Sequence, residues 1–332
     1  MLCSVPIISE LCTTSSKIFM RKVIGIGETG LDIIFRNEQP IAAVPGGSTF
    51  NALISLGRSG ISCNFISEIG NDRVGMTIKH FLQDNGVNIN NISSFPDSKS
   101  SVSLAFLDEQ NDAEYIFYKN QPHDQLDFSF PEIAPDDIVI FGSFYAVNPK
   151  VHQQVIALLE HARNNGAIIY YDVNYRSSHR NEVMKITPNL IDNLEYADIV
   201  RGSREDFEVV YKKDNPDTVY KAEIAFYCKD FIYTNGAENI VLRGKNDFKK
   251  EYPVAQTHTV STIGAGDNFN AGFIFGLIKN HITHQMISNG LTEAQWDDLM
   301  HYATKFSANC CEDIYNYISK DFGAQMNLTL NK

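Results

Sequence analysis

The residues with the clearest chemical potential are Thr262-Ile263-Gly264-Ala265-Gly266-Asp267, directly before an amphipathic helical pattern from Phe269 to Lys279. Glycines let a backbone approach a ligand closely and adopt unusual dihedrals. The first N–H groups of a helix have no partner within it, and with the helix dipole they form an anion site. Asp267 falls in the first turn, beside any anion bound there. Backbone donors for a transferring phosphoryl group, with a carboxylate next to them, are the parts phosphoryl transfer needs. The amides of Gly264, Ala265 and Gly266 would stabilise the charge; Asp267 would orient the attacking hydroxyl and take its proton. No Gly-Lys-Ser or Gly-Lys-Thr follows, so this is not a Walker loop. An acid in a first turn is also an ordinary helix-start residue, and spacing alone does not separate the two readings.

A second glycine-rich run competes for attention. Gly25-Ile26-Gly27-Glu28-Thr29-Gly30 matches the dinucleotide-binding pattern Gly-x-Gly-x-x-Gly after a strand. That mechanism needs a helix immediately afterwards, its N-terminus on the pyrophosphate. Leu31-Asp32-Ile33-Ile34-Phe35 follows instead, β-branched and soon ended by Pro40. The run reads better as a strand end with a bend. Asp32, just past the strand, is placed where a loop carboxylate can hold sugar hydroxyls.

Ser261-Thr262-Ile263-Gly264-Ala265-Gly266-Asp267-Asn268-Phe269 resembles the second signature of the PfkB, or ribokinase-like, carbohydrate kinases. The family's first signature also has a counterpart: Gly46-Gly47-Ser48-Thr49-Phe50-Asn51-Ala52, running to Leu56-Gly57-Arg58-Ser59-Gly60. The order and separation of the two are far more specific than either alone, and the resemblance covers roughly residues 22 to 315. Asp172-Val173-Asn174-Tyr175-Arg176 is similar to the family's Asp-Pro-Asn-x-Arg. Ser203-Arg204-Glu205-Asp206 stands where the family has Asn-x-x-Glu, and Thr234-Asn235-Gly236 resembles its nucleotide-side loop. Phe141-Gly142-Ser143 and Tyr115-Ile116-Phe117-Tyr118-Lys119 resemble the fructokinase branch more weakly; a packed hairpin would account for the aromatics equally well.

The resemblance implies an α/β, ribokinase-like three-layer sandwich with a mostly parallel central sheet and a small β-hairpin lid. It implies ATP-dependent phosphorylation of a monosaccharide's primary hydroxyl, with fructose the expected sugar; 2-keto-3-deoxygluconate kinase and ribokinase stay open. Asp32, Gly46, Gly47, Asn51, Tyr118 and Arg176 would hold the sugar, although Arg176 could instead form a structural ion pair. Asn174, Ser203, Thr234 and Gly236, with Gly264 and Gly266, would face the nucleotide. Asp206 would reach Mg²⁺ through water. The family's first acid in the second signature, which in relatives helps hold a monovalent cation, is Ser261 here. That substitution leaves potassium activation open. A non-catalytic sugar- or nucleotide-binding protein on the same fold is the rival from another class, and an NAD-dependent oxidoreductase is the rival suggested by the decoy.

Several elements must position these groups. Strands are expected at Val23–Glu28, Ile61–Ile66, Ile138–Phe141, Ile168–Tyr171, Asp198–Val200, Phe231–Thr234, Ile240–Leu242 and Phe248–Tyr252. Helices are expected after Gly47 and over Val74–Leu82, Val151–Arg163, Leu190–Tyr196, Arg204–Tyr211, Ala265–Lys279 and Glu293–Cys311. Strands alternating with helices argue a parallel sheet covered on both faces. Residues 100–120 alternate apolar and polar around Asp108-Glu109-Gln110-Asn111-Asp112, the pattern of a half-exposed hairpin. With about residues 33–45 it would form the lid. The kinase domain then spans 20–320, residues 1–19 form an extension, and 321–332 a tail. Met20 precedes the first strand, so translation starting there is an alternative to a disordered extension.

The chain of 332 residues is 43% hydrophobic and 20% charged, which permits a full core. A net charge of −12 lacks the positive field of a dedicated nucleic-acid binder. Phosphate binding needs only local amides and a metal ion. The six cysteines show no metal-ligand spacing, and reduced thiols in a cytoplasmic protein fit them best. No apolar run is long enough to span a membrane. An exposed lid edge invites pairing with a second lid, so a homodimer through the lid is expected.

Overall fold

Alternation along the strands divides the apolar residues between two faces. The computed structural model describes residues 21–108, 113–120, 130–254 and 257–330. The first half contains β1 (Lys22–Ile26), β2 (Gly30–Arg36), β3 (Gln39–Gly46), α1 (Ser48–Arg58), β4 (Ser62–Gly70) and α2 (Arg73–Asp84). Then come β5 (Val87–Asn88), β6 (Ile92–Phe95), β7 (Lys99–Leu107) and β8 (Ala113–Asn120). Next are β9 (Ile138–Gly142), α3 (Ser143–Val147), α4 (His152–Asn164), β10 (Ile168–Asp172), α5 (Val183–Tyr196), β11 (Ile199–Ser203), α6 (Arg204–Tyr211) and α7 (Pro216–Val219). The chain ends with β12 (Asp230–Asn235), β13 (Asn239–Arg243), β14 (Lys249–Pro253), α8 (Ala265–Lys279), α9 (His284–Asn289), α10 (Glu293–Cys311) and α11 (Lys320–Leu330).

The central sheet runs β14-β13-β12-β11-β10-β9-β1-β4-β5, with β6 also on β4. It is parallel from β12 to β5, and the β12–β13 and β13–β14 pairs are antiparallel. On β9 and β10, Ile138, Ile140, Ile168 and Tyr170 face α1, α8 and α10, whereas Val139, Phe141, Ile169 and Tyr171 face α4, α5 and α6. Nearly continuous apolar strands are what a doubly covered parallel sheet requires.

The lid is a separate sheet of four strands, β3-β2-β7-β8, in which the 100–120 hairpin is joined by β2 and β3. The β7–β8 hairpin is antiparallel, but β2 joins β7 in parallel and brings β3 with it. Pro40 lies on β3, an edge strand, where a missing N–H is tolerated. Ile34, Val44, Ala105 and Leu107 form a small core of the lid, and Ile263 from the second signature packs into it. Asp72 fastens the lid to α2: it caps the helix at Gly75 N and accepts both the N–H and the hydroxyl of Ser100.

No helix follows Gly25–Gly30. The chain passes from β1 directly into β2, which removes the dinucleotide-binding reading. The last segment is a helix, α11, whose Met326 joins the main core and whose Phe322 packs against it. The Leu190–Tyr196 helix begins earlier than its apolar pattern, at Val183, and accommodates Pro188 in its first turns. Residues 1–19 lie outside the described residues. Among the described residues no helix is long and apolar enough to cross a membrane. Cys63, Cys228, Cys310 and Cys311 are buried and free.

Candidate active site

Two helix starts meet at one carboxylate. Gly264 caps α8 at φ +77°, in the left-handed region, and a Cβ there would lie 2.6 Å from Asn316 O. Only glycine fits both constraints. Asn268, fully buried, secures the turn: its Nδ2 donates to Gly264 O and Asn316 O, each at 2.8 Å, and its Oδ1 accepts from Ser55 of α1. Asp267 follows in the first turn and is 7% exposed. Ser48 Oγ donates to its Oδ1 at 2.8 Å and Asn51 Nδ2 to its Oδ2 at 2.8 Å, both from the first turn of α1. Burial pushes its carboxyl up to about 6; the Asn51 and Ser48 bonds and Arg176 restrain the rise, and Asp172 adds to it. Gly47 caps α1 at φ +142°, with Glu28 O where a side chain would stand.

Asp32 approaches from the lid. Ser103 Oγ donates to its Oδ1, and Asn316 Nδ2 to its Oδ2 at 3.1 Å. Burial raises this carboxyl to about 6 as well, opposed by the Ser103 and Asn316 bonds and reinforced by Asp267 and Glu28. A cleft opens between the two acids, lined by Glu28, Asp32, Asn51, Tyr115, Arg176 and Asp267 among others. Arg176 is exposed and sits 5.8 Å from the Tyr115 ring centroid. Asn51 Oδ1 is buried without a partner.

A second, wider groove lies on the other side of the same turn. Ser203, Thr234, Gly236, Thr262, Ala265 and Gly266 are among its lining residues. Gly264 and Asp267 therefore face one cleft while Ala265 and Gly266 face the other. An anion held at this helix start is accessible from both.

Most of the expected site residues converge here, with four differences. Tyr118 is 59% exposed and does not line the cleft; Tyr115 and Phe117, stacked at 5.5 Å, do. Side chains alternate along β8, so a one-residue choice selects the opposite face. Asn174, expected on the nucleotide side, lines the first cleft at φ +33°. Gly46 does not line the cleft but backs it: a Cβ at that position would press on the Asp32 carboxylate. Asp206 is 4% exposed and completes a capping box at the start of α6, accepting from Ser203 N, Ser203 Oγ and Tyr175 N. Its oxygens are engaged by the protein, which gives it a helix-capping role beside the water-mediated metal contact expected of it. Among the described residues no group of three His, Cys, Asp or Glu side chains converges on a metal position.

Ser48, Ser103, Glu28, Asn316 and Arg201 belong to the site without having been singled out from sequence. Ser48 had a signal, lying three residues before Asn51 on one helix face. Asn316, far beyond Asp267 in the chain, had none. Ser261 is 1% exposed and accepts Ile263 N at 3.2 Å, while Cys310 Sγ donates to Ile263 O at 3.5 Å. Neutral hydrogen bonds thus close the loop where the signature has an acid.

A carboxylate beside an anion-binding helix start, shared by a small acidic cleft and a wider groove, defines a phosphotransferase acting on a small molecule. Residues 20–312 match the pfkB family carbohydrate kinases, and the chain belongs to that family. It is 26% identical over 273 residues to a probable chloroplastic fructokinase-6 of Arabidopsis thaliana, covering 80% of this chain and 68% of that protein. It is 27% identical over 255 residues to a 5-dehydro-2-deoxygluconokinase of Geobacillus thermodenitrificans, covering 70% and 72%. Among solved structures, aminoimidazole riboside kinase from Salmonella enterica superposes with a TM-score of 0.76 at 22% identity, over 93% of this chain and 100% of that one. Fructokinase from Vibrio cholerae, bound to fructose, ADP and calcium, gives 0.76 at 18% identity over 90% and 94%. The fold is ribokinase-like.

Proposed function

We propose that this protein transfers the γ-phosphate of ATP to a primary hydroxyl of a monosaccharide, with fructose as the expected sugar. The observation that carries the reading is the turn at Gly264–Asp267, which faces the small cleft with its carboxylate and the wider groove with its amides. ATP would lie in the groove with its γ-phosphate at the helix start, and a magnesium ion bound with it would supply charge neutralisation, few protein ligands being needed. The sugar lies between Asp32 and Asp267. Asp32 accepts sugar hydroxyls, and Asn51 Oδ1, buried and unpartnered, takes another hydroxyl. Asp267 exchanges the Ser48 and Asn51 bonds for the attacking hydroxyl, orients it and receives its proton. The transition state is loose, so positioning and charge stabilisation outweigh proton abstraction. Asp206 acts through its helix cap, which holds the Tyr175 backbone next to Arg176.

ADP release measured across fructose, ribose, glucose, 2-keto-3-deoxygluconate, 5-dehydro-2-deoxygluconate and nucleosides tests this. Turnover greatest with fructose supports it; turnover confined to a sugar acid or a riboside moves the assignment to that substrate. Binding without ADP release would make the protein a sugar-binding module. Because Ser261 is neutral and its loop is closed by neutral bonds, exchanging potassium for N-methylglucamine at constant ionic strength is expected to leave turnover unchanged. Strong potassium activation would sink that expectation. The lid carries Ile116 at 44% and Tyr118 at 59% exposure on its outward face. A homodimer through these faces is expected, and Tyr118→Asp should shift a dimer to monomer in light scattering.

A further inference from the structure

We infer that Arg201 is a direct contact for the polyphosphate of the nucleotide donor, a role that rests on the kinase reading above. The argument begins with charge. A nucleoside triphosphate carries several negative charges, yet among the described residues lining the wider groove Arg201 is the one charged side chain. The others are hydroxyl-bearing, small or apolar, such as Ser203, Thr234, Thr304 and Phe269.

The geometry places that charge under the anion site. Arg201 comes from β11 and is 6% exposed. A Cβ added to Gly266 would lie 3.0 Å from both Nη1 and Nη2. The glycine therefore leaves the guanidinium edge open to an anion that the Ala265 and Gly266 amides hold. Its orientation is fixed from behind. Asp172 Oδ1 accepts Nη1 at 3.0 Å, and Thr234 Oγ1 accepts Nη2 at 2.7 Å. Asp172 is itself held by Asn270 Nδ2 at 2.7 Å, and Asn270 Oδ1 accepts from Tyr170 OH at 2.9 Å.

Donor count completes the case. A guanidinium presents five N–H donors in a rigid fork suited to phosphate oxygens. Two are used by Asp172 and Thr234, and Nε is buried without a partner. An unmade bond at a buried donor is costly unless a ligand completes it. Polyphosphate oxygens at the helix start are acceptors of the right charge and position. Lysine would supply charge there but not the fork.

Calorimetry with ADP and AMP as probes decides the matter. Arg201→Gln is expected to weaken ADP binding about ten- to a hundredfold, with AMP and sugar affinities unchanged. Arg201→Lys should fall between the two. ADP affinity equal in Arg201→Gln and the unsubstituted protein would overturn the contact, as would equal losses for ADP and AMP, which indicate a structural role. Should Arg201→Gln not fold, the unsubstituted protein still answers: the Arg201 Nε–H resonance should shift on adding ADP and stay in place on adding AMP. A resonance unmoved by ADP would again overturn it. If the unsubstituted protein binds no ADP at all, the kinase reading itself fails and the contact fails with it.

Discussion

Replacing Asp267 by Asn is expected to lower turnover by about two to four orders of magnitude while sugar binding persists. The amide is the same size, and its environment can accept it. Asn51 Nδ2 continues to donate to the remaining oxygen, and the Ser48 hydroxyl rotates from donor to acceptor for the new NH₂. What disappears is the ability to take the hydroxyl's proton and to orient it as an anion. A turnover close to that of the unsubstituted protein would remove Asp267 from the base role. The pH dependence carries a second reading of the same group. Both Asp267 and Asp32 have carboxyls raised to about 6, chiefly by burial. Because the free enzyme needs both ionised, kcat/KM for the sugar should fall as pH drops below about 6, more steeply than one group alone would give. Stability runs the other way. A carboxyl whose folded value exceeds its unfolded value contributes stability at low pH that is lost as pH rises through the folded value. Asp267→Asn should therefore raise the Tm at pH 8 relative to the unsubstituted protein, and a lowered Tm would argue against a strained, charged carboxylate at this site.

The contrast between what the sequence discloses and what it conceals has a physical basis. The boundaries of α6 and α10 were legible because a capping box marks each start, and that of α8 because glycines precede it, although it is buried nearly all round rather than amphipathic. The strands of the central sheet were legible because burial on both faces demands apolar runs. The lid was only half legible. Its β7–β8 hairpin is local, whereas the β2–β7 pairing is non-local and leaves no periodic mark. Site residues divide along the same line. Asp267 and Asn51 lie in local signatures whose spacing is set by a helix start. Ser103, Asn316 and Arg201 act across folded distances, and each is an ordinary residue in its own segment. The capping role of Asp206 was legible in principle, since Ser203 three residues ahead of an acid is a helix-start pattern.

Gly264→Ala is expected to be the more pervasive lesion, because it strikes both clefts through one residue. The left-handed conformation costs a non-glycine residue roughly 1–2 kcal/mol, and the new Cβ would stand 2.6 Å from Asn316 O. The turn relieves that contact only by moving, and the amides of Ala265 and Gly266 move with it. Loss of one well-placed anion donor typically lowers turnover about a hundred- to a thousandfold. The disturbance also travels through Asn316. Its carbonyl accepts from Asn268 beneath the anion site, and its side chain donates to Asp32 in the sugar cleft. Ile263, immediately before the glycine, is lodged in the core of the lid. Gly264→Ala should therefore raise the KM for sugar as well as lower kcat, whereas Asp267→Asn should affect kcat almost alone. Gly166→Ala is the matched control. That glycine is also left-handed, at φ +72°, but a Cβ there meets only Pro135 atoms 4.0 Å away, and it precedes β10 at the end of the strand opposite Asp172. It should lose only the roughly 1–2 kcal/mol of the left-handed conformation and keep both kinetic constants. Equal kinetic behaviour of the two variants would mean that the Gly264 turn is merely a helix cap, and that the anion site and the sugar site are not mechanically joined.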